Sequence, residues 1–279
     1  MPHVRIRGGG HEQSSIPTPT HPAGQNGRQS SPAARAPQGR ERRMSQLVFL
    51  HGPGAGACAD AFHHQLEHFP NSVAPTLPGH LEGSRCPDVA RYTDWVRGWL
   101  WAQGLKHDLV LVGYTLGASI ALQYGLDYPD EVKGLVVMTV AARPKTRPAG
   151  TYELRLRAAE DPKGYEEWLA YQRHAMKLVK PDVRERLIER HRQVGPLSQF
   201  HDLKAIDAFD VRDRLAMLEP KLLILRGMDD PTNPPEYEKE IHDAVPGSRY
   251  VKLSGAGHFP PTEIPDEVNA LIEEFVATL

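Results

Sequence analysis

The run Asp-Leu-Val-Leu-Val-Gly-Tyr-Thr-Leu-Gly-Ala-Ser-Ile-Ala-Leu at residues 108–122 constrains the fold of this chain more than any other segment. Leu109–Val112 is an unbroken apolar tract of strand length, the pattern of a strand covered on both faces. Leu116–Tyr128 has the composition of a helix, and only a Gly-x-Thr-x-Gly turn, Gly113 to Gly117, joins the two. A strand passing through so tight a turn into a helix is half of a βαβ unit. The turn then lies at the carboxyl end of the strand, where open α/β sheets bind their ligands.

The rest of the chain repeats the alternation. Short apolar runs predict strands at Gln46–Leu50, Ser72–Thr76, Leu135–Thr139, Lys221–Leu225 and Arg249–Leu253, with helices at Phe62–Phe69, Tyr92–Gln103 and Asp266–Leu279. The fold class is therefore α/β, a mostly parallel, doubly wound sheet. Between Ala142 and Glu219 the strand signal vanishes in favour of polar helices such as Tyr165–Lys177 and Val183–Arg192. Residues 142–218 are expected to form a helical cap inserted into a core of residues 44–141 and 219–279. An ordinary peripheral subdomain without a gating role is the competing expectation.

Residues 1–43 are rich in Pro, Gly, Ser, Gln and Arg, with Val4, Ile6 and Ile16 their only sizeable aliphatics, and are expected to be disordered. An upstream extension with Met44 as the true start, a plain tail and a transit-like segment are the three readings of this stretch. The last is opposed by Pro17, Pro19 and Pro22, which would break a helix. These residues carry a charge of +5, so the formal net charge of −2 leaves the remainder at −7. Nothing in that balance points to nucleic acid. Cys58 and Cys86 are the only cysteines, which implies no disulfide framework and is compatible with a reducing compartment. No apolar run approaches a membrane span, and the expectation is a cytoplasmic protein acting on a small molecule.

Two more segments fall at predicted strand ends: Arg-Gly-Met-Asp-Asp-Pro-Thr-Asn-Pro-Pro at 226–235, and Leu-Ser-Gly-Ala-Gly-His-Phe at 253–259. Together with His-Gly-Pro-Gly (51–54), Leu-Pro-Gly-His (77–80) and the Gly-x-Thr-x-Gly turn, they appear in one order along residues 46–279. In that order the chain resembles the α/β-hydrolase fold superfamily, with Thr at the nucleophile position. The resemblance implies a nucleophile elbow at Thr115, an acid at Asp230 and a histidine at His258, the family order of a catalytic triad. Gly227 plus three selects Asp230, while Asp229 would cap the following turn. His51 and His80 are expected to be structural.

The resemblance also implies an oxyanion hole. Its usual first donor follows His-Gly, but Pro53 has no N–H there, so Gly54 is the substitute and Leu116 the second donor. A different reading of the same loop is a Gly-x-Gly-x-x-Ala fingerprint for a dinucleotide, at Gly52 to Ala57. That fingerprint wants an acidic residue at the end of the next strand, and Val73-Ala74-Pro75-Thr76 has none. No metal-ligand spacing is present, and no cofactor is needed.

Thr115 decides what activity can be expected. The family nucleophile sits at positive φ, an outlier for a β-branched residue, and its methyl group competes for the space facing His258. Three readings follow. The first is a carboxylesterase-like hydrolase of small-molecule esters working through an acyl-enzyme at Thr115, weakened by the threonine. The second is a non-acyl-transfer member of the fold, a C–C hydrolase, lyase or isomerase using His258 as base. The third is a catalytically impaired ligand-binding homologue. Trp168, Tyr171 and Met176 are either pocket lining or helix packing, and Arg143, Arg147, Arg155 and Arg157 either favour an anionic acyl group or form a solvated face. If the chain starts at Met44, the usual leading hairpin is missing, which exposes a sheet edge and invites a homodimer.

Overall fold

In the computed structural model, residues 45–53 and 59–279 are described, so the expectations for residues 1–43 and for Gly54 lie outside the described residues. Five strands form one sheet in the order β1-β2-β3-β4-β5, every neighbouring pair parallel. They are β1 (Gln46–Leu50), β2 (Leu109–Tyr114), β3 (Val132–Met138), β4 (Lys221–Gly227) and β5 (Arg249–Leu253). Six-residue β2 is buried throughout, as its unbroken apolar run requires. The expected strand at Ser72–Thr76 is not one. Val73 alone bridges β1, exchanging hydrogen bonds with Leu47 and Phe49. Pro70 and Pro75 flank it and supply no N–H to a longer ladder.

The sheet is wrapped on both faces because alternate residues of each strand need apolar cover. On one face Leu109, Leu111, Leu135 and Ile224 pack against α2 (Val89–Ala102), α3 (Leu116–Asp127) and α8 (Pro235–Ala244). On the other, Val110, Val112, Val136 and Leu225 meet Phe62, Leu66 of α1 (His63–His68), and Val268, Ile272 and Phe275 of α10 (Pro265–Ala277). A short α9 (Pro260–Glu263) precedes α10.

Four helices lie between β3 and β4: α4 (Thr151–Glu160), α5 (Pro162–Ala175), α6 (Pro181–Val194) and α7 (Pro196–Asp207). Each of the last three opens on a proline in its first turn, where the missing N–H would have had no helical partner. Asp161 caps α5 by accepting from Lys163 N (3.3 Å) and Gly164 N (2.8 Å). α5 and α6 cover the two helices read from the sequence, while α4 and α7 are additional. Among the described residues no helix is long and apolar enough to cross a membrane.

Candidate active site

β2 ends at Tyr114, α3 begins at Leu116, and Thr115 alone makes the reversal, with φ 50° and ψ −112°. The turn closes only because its neighbours lack side chains. A Cβ on Gly117 would come 1.9 Å from Leu50 O, and one on Gly113 2.3 Å from the carbonyl carbon of Gly117. Thr115 is held by its backbone, its N–H donating to Met138 O (3.0 Å) and its carbonyl accepting from Ser119 N (3.0 Å). Its hydroxyl differs. Thr115 Oγ1 is buried and has no hydrogen-bond partner among the described residues. It faces Gly52, where an added Cβ would stand 2.0 Å from the oxygen. Leu116, first in α3, has no carbonyl four residues back in its own helix to receive its N–H, the property an oxyanion donor needs.

The acid and the histidine arrive on two loops that touch. A Cβ on Gly227 would lie 2.0 Å from Gly257 O, so the ends of β4 and β5 approach at backbone contact. Asp230 Oδ2 accepts from His258 Nδ1 at 2.9 Å. Its Oδ1 accepts from Thr232 N (2.8 Å), Thr232 Oγ1 (2.9 Å) and Asn233 N (3.2 Å). Burial opposes the Asp230 charge. The His258 charge and the hydrogen bonds from His258 and Thr232 outweigh it and hold the carboxyl well below the usual carboxylate range. Thr232 Oγ1 also lies 2.7 Å from His258 Nδ1. From the opposite side Thr139, at φ 54° beyond β3, donates its hydroxyl to His258 O at 3.1 Å. Asp229 instead uses its N–H on Ala256 O (2.8 Å), and its side chain is exposed.

Behind the acid, Asn233 accepts from Lys145 Nζ on its side chain and from Arg226 Nη1 on its carbonyl. Arg226 also pairs with Glu238 at 2.9 Å, both side chains buried. Burial lowers the Lys145 ammonium to about 8 and raises the Glu238 carboxyl to about 7. Neither threonine on His258, nor this network, carried a sequence signal of its own. The rigid Pro231-Thr-Asn-Pro234 frame after the acid is the one hint that residue 232 is held in place.

His51 and His80 are both buried and fully engaged. Leu77 N donates to His51 Nε2 (2.9 Å), and the ring's Nδ1–H donates to Gly52 O (3.0 Å), which shapes the loop beneath Thr115. Burial and the neighbouring His80 keep His51 neutral. Burial also works against charge on His80, but its 2.8 Å bond to Asp202 Oδ2 prevails and raises it. Because Asp202 is on α7, this pair ties the 77–80 loop to the inserted helices, with Tyr92 donating to Asp202 Oδ1 at 2.8 Å.

Trp168 and Met176 are fully buried in the cluster that also holds Tyr114, Met138 and Phe259, whereas Tyr171 is exposed. Arg143, Arg147 and Arg157 pair with Glu240, Asp207 and Glu167. Arg155 is buried and donates to Thr151 O at 2.5 Å. Nothing among the described residues groups three metal-ligating side chains.

Pyrethroid hydrolase of Sphingobium wenxiniae is 26% identical over 258 residues, covering 83% of this chain and 88% of that protein. A thermophilic esterase from Thermogutta terrifontis superposes with a TM-score of 0.69 at 24% identity, over 84% of this chain and 90% of that one. For 2-hydroxy-6-oxo-6-phenylhexa-2,4-dienoate hydrolase of Rhodococcus sp. strain RHA1 the TM-score is 0.68 at 20% identity, with coverage of 83% and 90%. At these identities the structural likenesses establish the fold. Residues 47–271 match the family model described as Alpha/beta hydrolase family, and the chain, with its parallel sheet wrapped by helices on both faces, belongs to the alpha/beta hydrolase family.

Proposed function

We propose that this protein hydrolyses carboxylic esters through an acyl-enzyme on Thr115. The observation that carries the reading is the 2.9 Å bond from His258 Nδ1 to buried Asp230, in a sheet whose β2 ends in the Thr115 elbow at positive φ. With Nδ1–H committed to Asp230, His258 Nε2 is left as the basic nitrogen. It takes the Thr115 hydroxyl proton as Oγ1 adds to the ester carbonyl carbon. The carbonyl oxygen becomes an oxyanion facing the N–H of Leu116 and, in this reading, that of Gly54. The C–O bond to the alcohol then breaks, and His258 returns the proton to the departing alkoxide. Water, deprotonated by His258, adds to the acyl carbon and releases the acid and Thr115. Helices α4–α7 are the cap over this edge of the sheet.

Thr115 Oγ1 faces Gly52 and has no hydrogen bond, so attack requires its hydroxyl to meet His258 once substrate is bound, since such contacts tighten in the Michaelis complex. The same observation favours a second reading, in which His258 is the base of a C–C hydrolase, lyase or isomerase and Thr115 only a hydrogen-bond donor. A panel of p-nitrophenyl esters separates the two. Turnover by wild type that is lost in both Thr115→Ala and His258→Ala supports the acyl-enzyme. Full turnover in Thr115→Ala with loss in His258→Ala would exclude covalent catalysis at residue 115.

A further inference from the structure

The polar contacts of Asp230 include one that the acid–histidine pair does not require. Thr232 Oγ1 stands 2.9 Å from Asp230 Oδ1 and 2.7 Å from His258 Nδ1, so one hydroxyl touches both partners. Its proton has one productive destination. Asp230 is ionised and accepts, so the hydroxyl donates to Oδ1 and keeps its lone pairs for the ring. The Nδ1–H of His258 then lies between two acceptors, Asp230 Oδ2 at 2.9 Å and Thr232 Oγ1 at 2.7 Å. With a single acceptor the ring could pivot about that contact; two acceptors on different side chains define its plane.

The backbone holds the hydroxyl in place. Thr232 N and Asn233 N both donate to Asp230 Oδ1, closing the turn on the acid itself. Pro231 and Pro234 restrict the residues on either side. Asn233 is anchored in turn by Lys145 and Arg226. The segment is thus ordered by buried contacts although Thr232 itself is exposed to solvent.

We propose that Thr232 is a positioning residue that fixes the ring plane and the Nδ1–H tautomer of His258, making the base a three-part unit of Asp230, Thr232 and His258. This deepens the ester-hydrolase reading and rests on it for its kinetic consequence. The geometric consequence stands apart from it. Thr232→Val keeps the shape and removes the hydroxyl. Thr232→Ala removes it with less bulk, and Thr232→Ser restores it.

The test pairs kinetics on a p-nitrophenyl ester with the low-field proton NMR signal of His258 Nδ1–H, assigned by its disappearance in His258→Ala. Both hydroxyl-free variants are expected to lower kcat by roughly 10- to 100-fold with little change in KM, the scale of a displaced catalytic group. The Nδ1 proton should shift or broaden through exchange with water in both, at unchanged melting temperature, and Thr232→Ser should recover signal and kcat to within about threefold. An unchanged Nδ1 signal in Thr232→Val and Thr232→Ala overturns the proposal, whatever happens to kcat, as does failure of Thr232→Ser to recover. If the wild-type protein turns over no ester, the ester-hydrolase reading fails, and the Nδ1 signal still decides the role of Thr232.

Discussion

At the ends of β4 and β5 both carboxylate oxygens of Asp230 are engaged and His258 is held at its ring nitrogen and its carbonyl, whereas at the end of β2 the Thr115 hydroxyl is buried without a partner among the described residues. The Asp230–His258 pair is thus locked by hydrogen bonds in the free protein, and the Thr115 hydroxyl is not. Both regions carry a β-branched residue at positive φ, Thr115 at 50° and Thr139 at 54°, but Thr139 spends its hydroxyl on His258 O while that of Thr115 is unpartnered among the described residues. Such strain costs of order 1–3 kcal/mol and persists only where the surrounding structure enforces it. At Thr115 the enforcement is the approach of Gly117 to Leu50 O, which leaves the chain no wider path. Under the proposed acyl-enzyme route, the histidine–acid pair is preorganised, and the step left to substrate binding is the meeting of the Thr115 hydroxyl with His258.

The largest effects are expected at His258 and Asp230. His258→Ala should lower kcat/KM by roughly 10³-fold or more, down to what binding and the oxyanion donors supply alone. Wild-type turnover in that variant would mean the pair is merely structural. Asp230→Asn leaves the shape but removes the charge that orients the imidazole, and should cost roughly 10²- to 10⁴-fold in kcat. Because Asp230 titrates well below the usual carboxylate range, its protonation should leave no acid limb in the kcat profile above pH 4. Titration of the Asp230 carboxyl carbon near the ordinary value of 3.8, followed by NMR, would show that the His258 and Thr232 contacts do not form in solution.

At the elbow the expected change has the opposite sign. Thr115→Ser relieves a β-branched side chain held at φ 50° and should raise kcat by up to about 10²-fold, the scale of a misplacement of about 1 Å. A fall in kcat would mean that the methyl helps to hold the hydroxyl, and the elbow is then better built than its geometry suggests.

The smallest effect on turnover is expected at the buried His80–Asp202 pair, which bonds to neither Thr115 nor His258. Asp202→Asn should leave kcat nearly unchanged and lower stability, since breaking a buried pair costs about 3–5 kcal/mol. His80 has a raised pKa in the folded protein. Its contribution is complete below the unfolded value near 6.5 and is lost as pH rises through the folded value. The melting-temperature penalty of Asp202→Asn should therefore be larger at pH 6 than at pH 9. The reverse order would show that His80 is neutral in the fold.

Much of this was legible in the sequence, because a βαβ fold writes its strands as apolar runs and its loops as glycine motifs. The strands at 46–50, 109–112 and 221–225 follow from those runs, and residues 227, 230 and 258 follow from motif order. Ser72–Thr76 reads as a strand by its valine but pairs only at Val73, since pairing is limited by prolines rather than by apolar character. Helices α4 and α7 were less legible because polar residues, Arg155, Gln199 and Asp202, occupy buried positions and blur the apolar period. Thr139 and Thr232 left no motif, since each acts on His258 from a strand end distant in sequence. The orientation of Thr115 Oγ1 toward Gly52 was equally hidden, being set by the approach of two loops.

The proposed acyl-enzyme route needs Thr115 to be a nucleophile activated by His258. Intact-mass analysis after treatment with a fluorophosphonate tests it most directly. One adduct on the wild-type chain, mapped by peptide mass to Thr115 and absent from both Thr115→Ala and His258→Ala, is the predicted result. A wild-type chain that stays unmodified while Thr115→Ser labels readily would contradict it.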